Sequence, residues 1–149
     1  MSLVTVIGIG NRFFCDDGVG CEVVQTLLNQ NTDRCINYLV GETDTSWCLS
    51  KITTPHIIII DAVLAGHEAG SIHPISLMKC ETYFQGGISM HNQHLLALLQ
   101  VSDRPDGLLI GIEPFELSLY IGLSVSMKSC FENIVKAAEC MINNFGIIP

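Results

Sequence analysis

Four consecutive isoleucines, Ile57 to Ile60, sit between His56 and Asp61-Ala62. Successive side chains of a strand point to opposite faces, so an unbroken aliphatic run is buried on both. That is the situation of a central strand in a parallel sheet covered by helices. Leu108 to Ile112 is nearly as apolar and reads as a second central strand. Leu3 to Ile7 is a third, and Cys35 to Val40 a short fourth. Ser71 to Leu77 alternates, and Pro74 within it confines that strand to an edge, because proline cannot donate to a ladder.

Helical patterns fall between these strands. Val19, Val23, Val24, Leu27 and Leu28 recur at helical spacing over Val19 to Leu28. Asp44 or Thr45 can cap a short helix through Trp47 and Leu49, broken at Thr53-Thr54-Pro55. Ser89 can cap a helix from Met90 to Val101. A long helix from Met127 to about Asn143 places Phe131, Ile134, Val135, Ala138 and Ile142 on one stripe. The expected fold is α/β: a three-layer α/β/α sandwich on a five-stranded, mostly parallel sheet with one antiparallel edge strand. Residues 1–149 are expected to form one domain.

Composition narrows the function. Hydrophobic residues make up 48% and charged residues 15%, which favours an ordered globule. The net charge is −8 with only seven Lys and Arg, so nucleic acid and anionic membranes are poor partners. No apolar run approaches the length of a membrane span. The start of the chain lacks a basic region and a small-residue cleavage site, so a cytoplasmic protein is expected, and a monomer. Seven cysteines, at 15, 21, 35, 48, 80, 130 and 140, form no C-x-x-C pair, against a disulfide framework or zinc cluster. Cys15 stands out by its place beside two carboxylates, although a passive loop thiol is the plainer reading.

The chemistry-bearing stretch follows the first strand: Gly8-Ile9-Gly10-Asn11, then Asp16-Asp17-Gly18-Val19-Gly20. It is no dinucleotide fingerprint, because Phe13 replaces the third glycine and no acid closes the second strand. It is no P-loop either, lacking Gly-Lys-Ser/Thr. One of Asp16 and Asp17 is expected to cap the following helix, leaving the other for a second role.

Ligand crevices in such sheets lie beyond the carboxyl ends of the strands. Asp17 and Asp61 fall in that layer, Asp61 otherwise reading as a turn cap. His91 falls in the first turn of the Met90 helix, where the helix dipole disfavours a charged imidazole. Neutral histidine is a ligand or a base; His94, one turn on, reads as structural or solvated. Two oxygens and one nitrogen suit a borderline divalent cation with open positions, able to polarise a carbonyl or activate water. The residues alone thus lead to a metal-assisted hydrolase or a metal-binding protein.

The same residues resemble the hydrogenase maturation endopeptidases. The resemblance rests on Gly8-Ile9-Gly10-Asn11 with Asp16-Asp17-Gly18-Val19-Gly20, and on Ile60-Asp61-Ala62 with Gly66 and Glu68-Ala69-Gly70. It continues through Ile88-Ser89-Met90-His91 with Leu95, Leu98 and Leu99, then Gly111-Ile112-Glu113-Pro114, and Ile121-Gly122-Leu123-Ser124. It spans nearly the whole chain in order.

The resemblance implies an endopeptidase of aspartyl type that removes a short C-terminal extension from the large-subunit precursor of [NiFe]-hydrogenase, after nickel insertion. It carries the family's nickel-recognising positions onto Asp17, Asp61 and His91, as metal and catalytic residues. Nickel would come with the precursor, held by its cysteine thiolates. Many members have an Asp-Gly-Gly-Thr-like loop where this chain has Gly41-Glu42-Thr43-Asp44, which leaves open the hydrogenase served. The chain has no HExxH motif and no Ser-His-Asp order. Two other readings stand beside this one: a nickel carrier or assembly chaperone that cuts nothing, and a nucleotide- or small-molecule-binding module using the Gly8–Gly10 turn.

Overall fold

The computed structural model describes residues 2–79 and 106–146. Strand β1 (Val4–Ile9) leads through a 3-10 turn (Cys15–Gly18) into helix α1 (Val19–Gln30). Strand β2 (Ile36–Glu42), helix α2 (Thr45–Lys51), strand β3 (His56–Ala62) and strand β4 (Ile72–Ser76) follow. A second 3-10 turn (Leu77–Lys79), strand β5 (Gly107–Ile112) and helix α3 (Val125–Asn143) complete the described elements. The expected helix Met90–Val101, with His91 and His94, lies outside the described residues.

The sheet order is β2-β1-β3-β5-β4. The first four pair in parallel, and β4 runs antiparallel to β5 at the edge, with Pro74 opposite Ile110. The isoleucine strand is therefore central, as its composition requires. Its alternation feeds two cores. Ile58 and Ile60 face Val19, Val23 and Val24 of α1 and Met127, Ile134 and Ala138 of α3. Ile57 and Ile59 face Cys48 of α2, with Leu49 packed alongside. Helices thus cover both faces.

Three local details differ from the sequence reading. β1 continues through Gly8 to Ile9, so the first glycine is strand and not turn. A Cβ at Gly8 would stand 2.5 Å from the Gly20 carbonyl and 2.9 Å from Val24 Cβ, so this glycine lets α1 lie directly on the strand. β2 continues to Glu42, two residues into the expected loop, because an irregularity after Gly8 pairs Ile9 with Glu42. At Gly41 a Cβ would meet Cys48 Sγ of α2. Finally, α3 starts at Val125: Ser124 is its N-cap, its hydroxyl accepting from Met127 N–H at 3.1 Å.

Consecutive crossovers leave β1 in opposite directions, to β2 on one side and β3 on the other. A doubly wound sheet opens a crevice at such a switch point, beyond the carboxyl ends of the two diverging strands. Asp17 follows β1, and Asp61 lies at the end of β3.

Candidate functional site

Glycines bring the two acids together. A Cβ at Gly20 would collide with the Ile60 carbonyl, so the start of α1 rests on the end of β3. Gly10 has φ +140, and a Cβ there would collide with the Asp17 carbonyl. Between them Asn11 shapes the loop: its side-chain oxygen accepts from Phe13 N–H at 2.9 Å, and its own N–H donates to Asp17 Oδ2 at 2.9 Å. Asp17 is buried.

Asp61 sits one residue before the end of β3, paired with Gly111. Its carboxyl is wholly buried, and neither oxygen has a hydrogen-bond partner among the described residues. Burial pushes its pKa well above the ordinary 3.8, and the nearby Asp17 charge pushes it further, against a smaller opposing effect of the adjacent Ala62 backbone N–H, which falls short of hydrogen-bond geometry. A buried carboxyl left unsatisfied is costly, which makes Asp61 a candidate functional residue.

Asp16 departs from expectation. Neither aspartate caps α1, whose N-cap is Gly18 without a side-chain bond. Asp16 Oδ2 instead accepts from Phe115 N–H and Glu116 N–H, both at 3.0 Å, and from the Ser124 hydroxyl at 2.8 Å. Its Oδ1 accepts from Ser124 N–H at 2.8 Å. The loop after β1 is thereby clamped to the loop after β5. The sequence carried only a weak cue, two adjacent acids and a serine before the last helix, because the partners lie about a hundred residues apart. Glu113 is a second missed anchor: its carboxylate accepts from Ala65 N–H at 3.1 Å and Gly66 N–H at 3.2 Å, fixing the turn after β3.

Cys15 lies in this loop with φ 54, its sulfur 3.8 Å from Asp16 Oδ1. Burial, then the charge of Asp16, raise its thiol pKa. Cys21 is pushed up to about 12 by burial, and Cys48 to about 11. Such thiols stay protonated and are poor nucleophiles. Asp44 is the cap of α2, accepting from Trp47 N–H at 2.9 Å. Glu42, with φ 52, ion-pairs with Arg12 at 3.5 Å, so the loop that departs from the family pattern touches the loop of the acids.

Of the three residues expected to meet metal, Asp17 and Asp61 are close enough to raise one pKa, while His91 lies outside the described residues. Among the described residues no three His, Cys, Asp or Glu side chains form a metal-holding group. The unsatisfied Asp61 oxygens beside a second acid nevertheless suit a cation that arrives with further ligands of its own.

A doubly wound sheet with a buried acidic pair beyond its switch point defines an α/β protein with a candidate active site. The family model for hydrogenase maturation protease, HycI, matches residues 23–140, a span that includes Asp61 and His91 and begins after Asp17. The chain belongs to the hydrogenase maturation protease family. It is 27% identical over 158 residues to coenzyme F420 hydrogenase subunit delta of Methanothermobacter thermautotrophicus, covering 97% of this chain and 95% of that one. A putative hydrogenase maturation protease of Methanocaldococcus jannaschii is 27% identical over 100 residues, and this match spans 65% of each chain. Among solved structures, the HybD protease of Thermococcus kodakarensis superposes with a TM-score of 0.73 at 26% identity, covering 93% of this chain and 98% of that one. The HybD endopeptidase of E. coli shares the fold, with a TM-score of 0.75 at 23% identity, over 98% and 95% of the two chains. The protein is accordingly a peptidase, and nothing in these relatives favours a carrier that leaves peptide bonds intact. No helix among the described residues is long and apolar enough to cross a membrane.

Proposed function

We propose that the protein removes the C-terminal extension of a [NiFe]-hydrogenase large-subunit precursor, and that Asp17, Asp61 and His91 meet the nickel the precursor carries. The observation that carries this reading is Asp61: a wholly buried carboxyl at the end of the central strand, beside Asp17, with no hydrogen-bond partner among the described residues. Two buried carboxylates repel each other unless a cation lies between them. Until then the proposed state of Asp61 is the neutral acid, and binding the cation displaces its proton.

Two carboxylates and an imidazole suit nickel incompletely, and the thiolates of the precursor complete its shell. The metal then supplies Lewis-acid polarisation of the scissile carbonyl or a water. The raised pKa values of Cys15 and Cys21 support attack by water over attack by a protein thiol. Six cysteines among the described residues form no disulfide, which supports a reducing compartment, the cytoplasm.

The test is cleavage of purified nickel-loaded precursor, scored by mass spectrometry of the released peptide. Asp61→Asn and His91→Ala are expected to keep the circular dichroism of the wild type and to release no peptide. Full processing by either variant would take that residue out of the site.

A further inference from the structure

The geometry points to an apolar lip beside the acidic pair as the surface on which the precursor protein docks, an inference that rests on the function proposed above. Phe13 is 61% exposed, Leu119 83%, Tyr120 55%, Ile121 74% and Val125 85%. Large apolar side chains this open are individually common on proteins, but clustered ones mark an interaction site. These five come from only two segments, one following β1 and one following β5, at the end of the sheet that holds Asp17 and Asp61.

The two segments are stitched together. Tyr120 N–H donates to the Phe13 carbonyl at 3.1 Å, and Cys15 N–H donates to the Tyr120 carbonyl at 2.9 Å. Phe14 and Tyr120 form a parallel bridge. The Asp16 clamp on residues 115, 116 and 124 fixes the same pair of segments from below. The lip is thus continuous, bond by bond, with the turn that carries Asp17. A surface held this way loses little conformational freedom on binding, which favours affinity.

The occupant is the precursor and not a second copy. A protease acting on a protein must lay that protein against the end of the sheet where its acids lie, and self-association through the lip would cover that end. The chemistry agrees: Leu117 to Val125 carries no charged side chain, within a chain of net charge −8. A lip of this chemistry calls for an apolar, uncharged surface on the precursor.

The experiment compares steady-state cleavage of nickel-loaded precursor by the wild type, by Leu119→Asp/Ile121→Asp, and by Met78→Asp. Met78 is 72% exposed and follows β4 at the opposite end of the sheet, so it controls for adding charge. The double variant is expected to raise KM about tenfold or more, the scale of a lost interface anchor, with kcat held at saturating precursor and Met78→Asp unchanged. An unchanged KM in a folded double variant overturns the inference. So does a wild-type dimer in sedimentation that the double variant splits. Should the double variant not fold, Ile121→Ser and Val125→Ser are each expected to raise KM about twofold to fivefold, and no rise in either overturns the inference. Calorimetric binding of uncut precursor scores the lip separately from the chemistry: a wild type that binds through the lip and does not cleave defeats the proposed function alone.

Discussion

Asp61 sets a stability against a function. Burial and the Asp17 charge raise its pKa in the folded protein above the unfolded value of 3.8. The folded state therefore holds the proton more tightly than the unfolded chain does. The resulting stability is fully present below the unfolded pKa and is lost as pH rises through the raised folded value. Asp61→Asn is neutral at every pH and escapes that loss. Its Tm is expected to exceed that of the wild type at pH 7 to 8, with the gap closing as pH falls toward about 4, in thermal melts across that range. An equal gap at all pH values would show that packing and not ionisation separates the two proteins. Asp16 behaves oppositely, because all its bonding capacity is used. Any orientation of Asp16→Asn turns an amide NH2 onto donors from residue 115, 116 or 124. Urea unfolding is expected to show a loss of about 1–3 kcal/mol, the cost of leaving a buried donor unsatisfied.

At the scale of elements, the approach of α1 to the sheet decides whether the two acids can share an environment. Gly20→Ala drives a Cβ into the Ile60 carbonyl, where only backbone can yield. A cost of about 1–3 kcal/mol is expected, the usual range for overpacking, read as a lower urea midpoint. Gly66→Ala is the contrast: nothing lies within 4 Å of its Cβ, and only the φ of +81 resists, costing about 1–2 kcal/mol. Activity should fall with Gly20→Ala and survive Gly66→Ala, since only the former separates α1 from β3. The elements themselves were legible in the sequence. Four isoleucines admit few positions but the centre of a parallel sheet, and Pro74 admits only an edge. Asp17 and Asp61 were legible by the same logic, as acids where apolar strands end or shortly after. What stayed hidden was long-range: Asp16 bonds to residues about a hundred positions away, and no local pattern announces such partners. Gly8 shows the same limit: a glycine after a strand suggests a turn, whereas packing of α1 is what requires it.

At the scale of the whole molecule, the ligand set proposed for nickel would govern when the enzyme acts. Asp17, Asp61 and His91 offer no sulfur, and tight capture of nickel in a thiolate site needs it. On that proposal the full coordination shell forms only in the complex with a loaded precursor, and metal insertion becomes a condition for cleavage. On the same proposal the apolar lip would supply affinity that does not distinguish loaded from empty precursor, leaving discrimination to the acids. Losing one charge-assisted contact across that junction costs about 1–3 kcal/mol, roughly tenfold to a hundredfold in affinity. At protein concentrations where loaded precursor is fully processed, apo-precursor is expected to stay uncut, and raising its concentration should recover binding without recovering cleavage. Mass spectrometry of the released peptide measures the second quantity and calorimetry the first. Equal cleavage of apo- and nickel-loaded precursor would overturn the dependence on the precursor's nickel and point to a metal-independent peptidase.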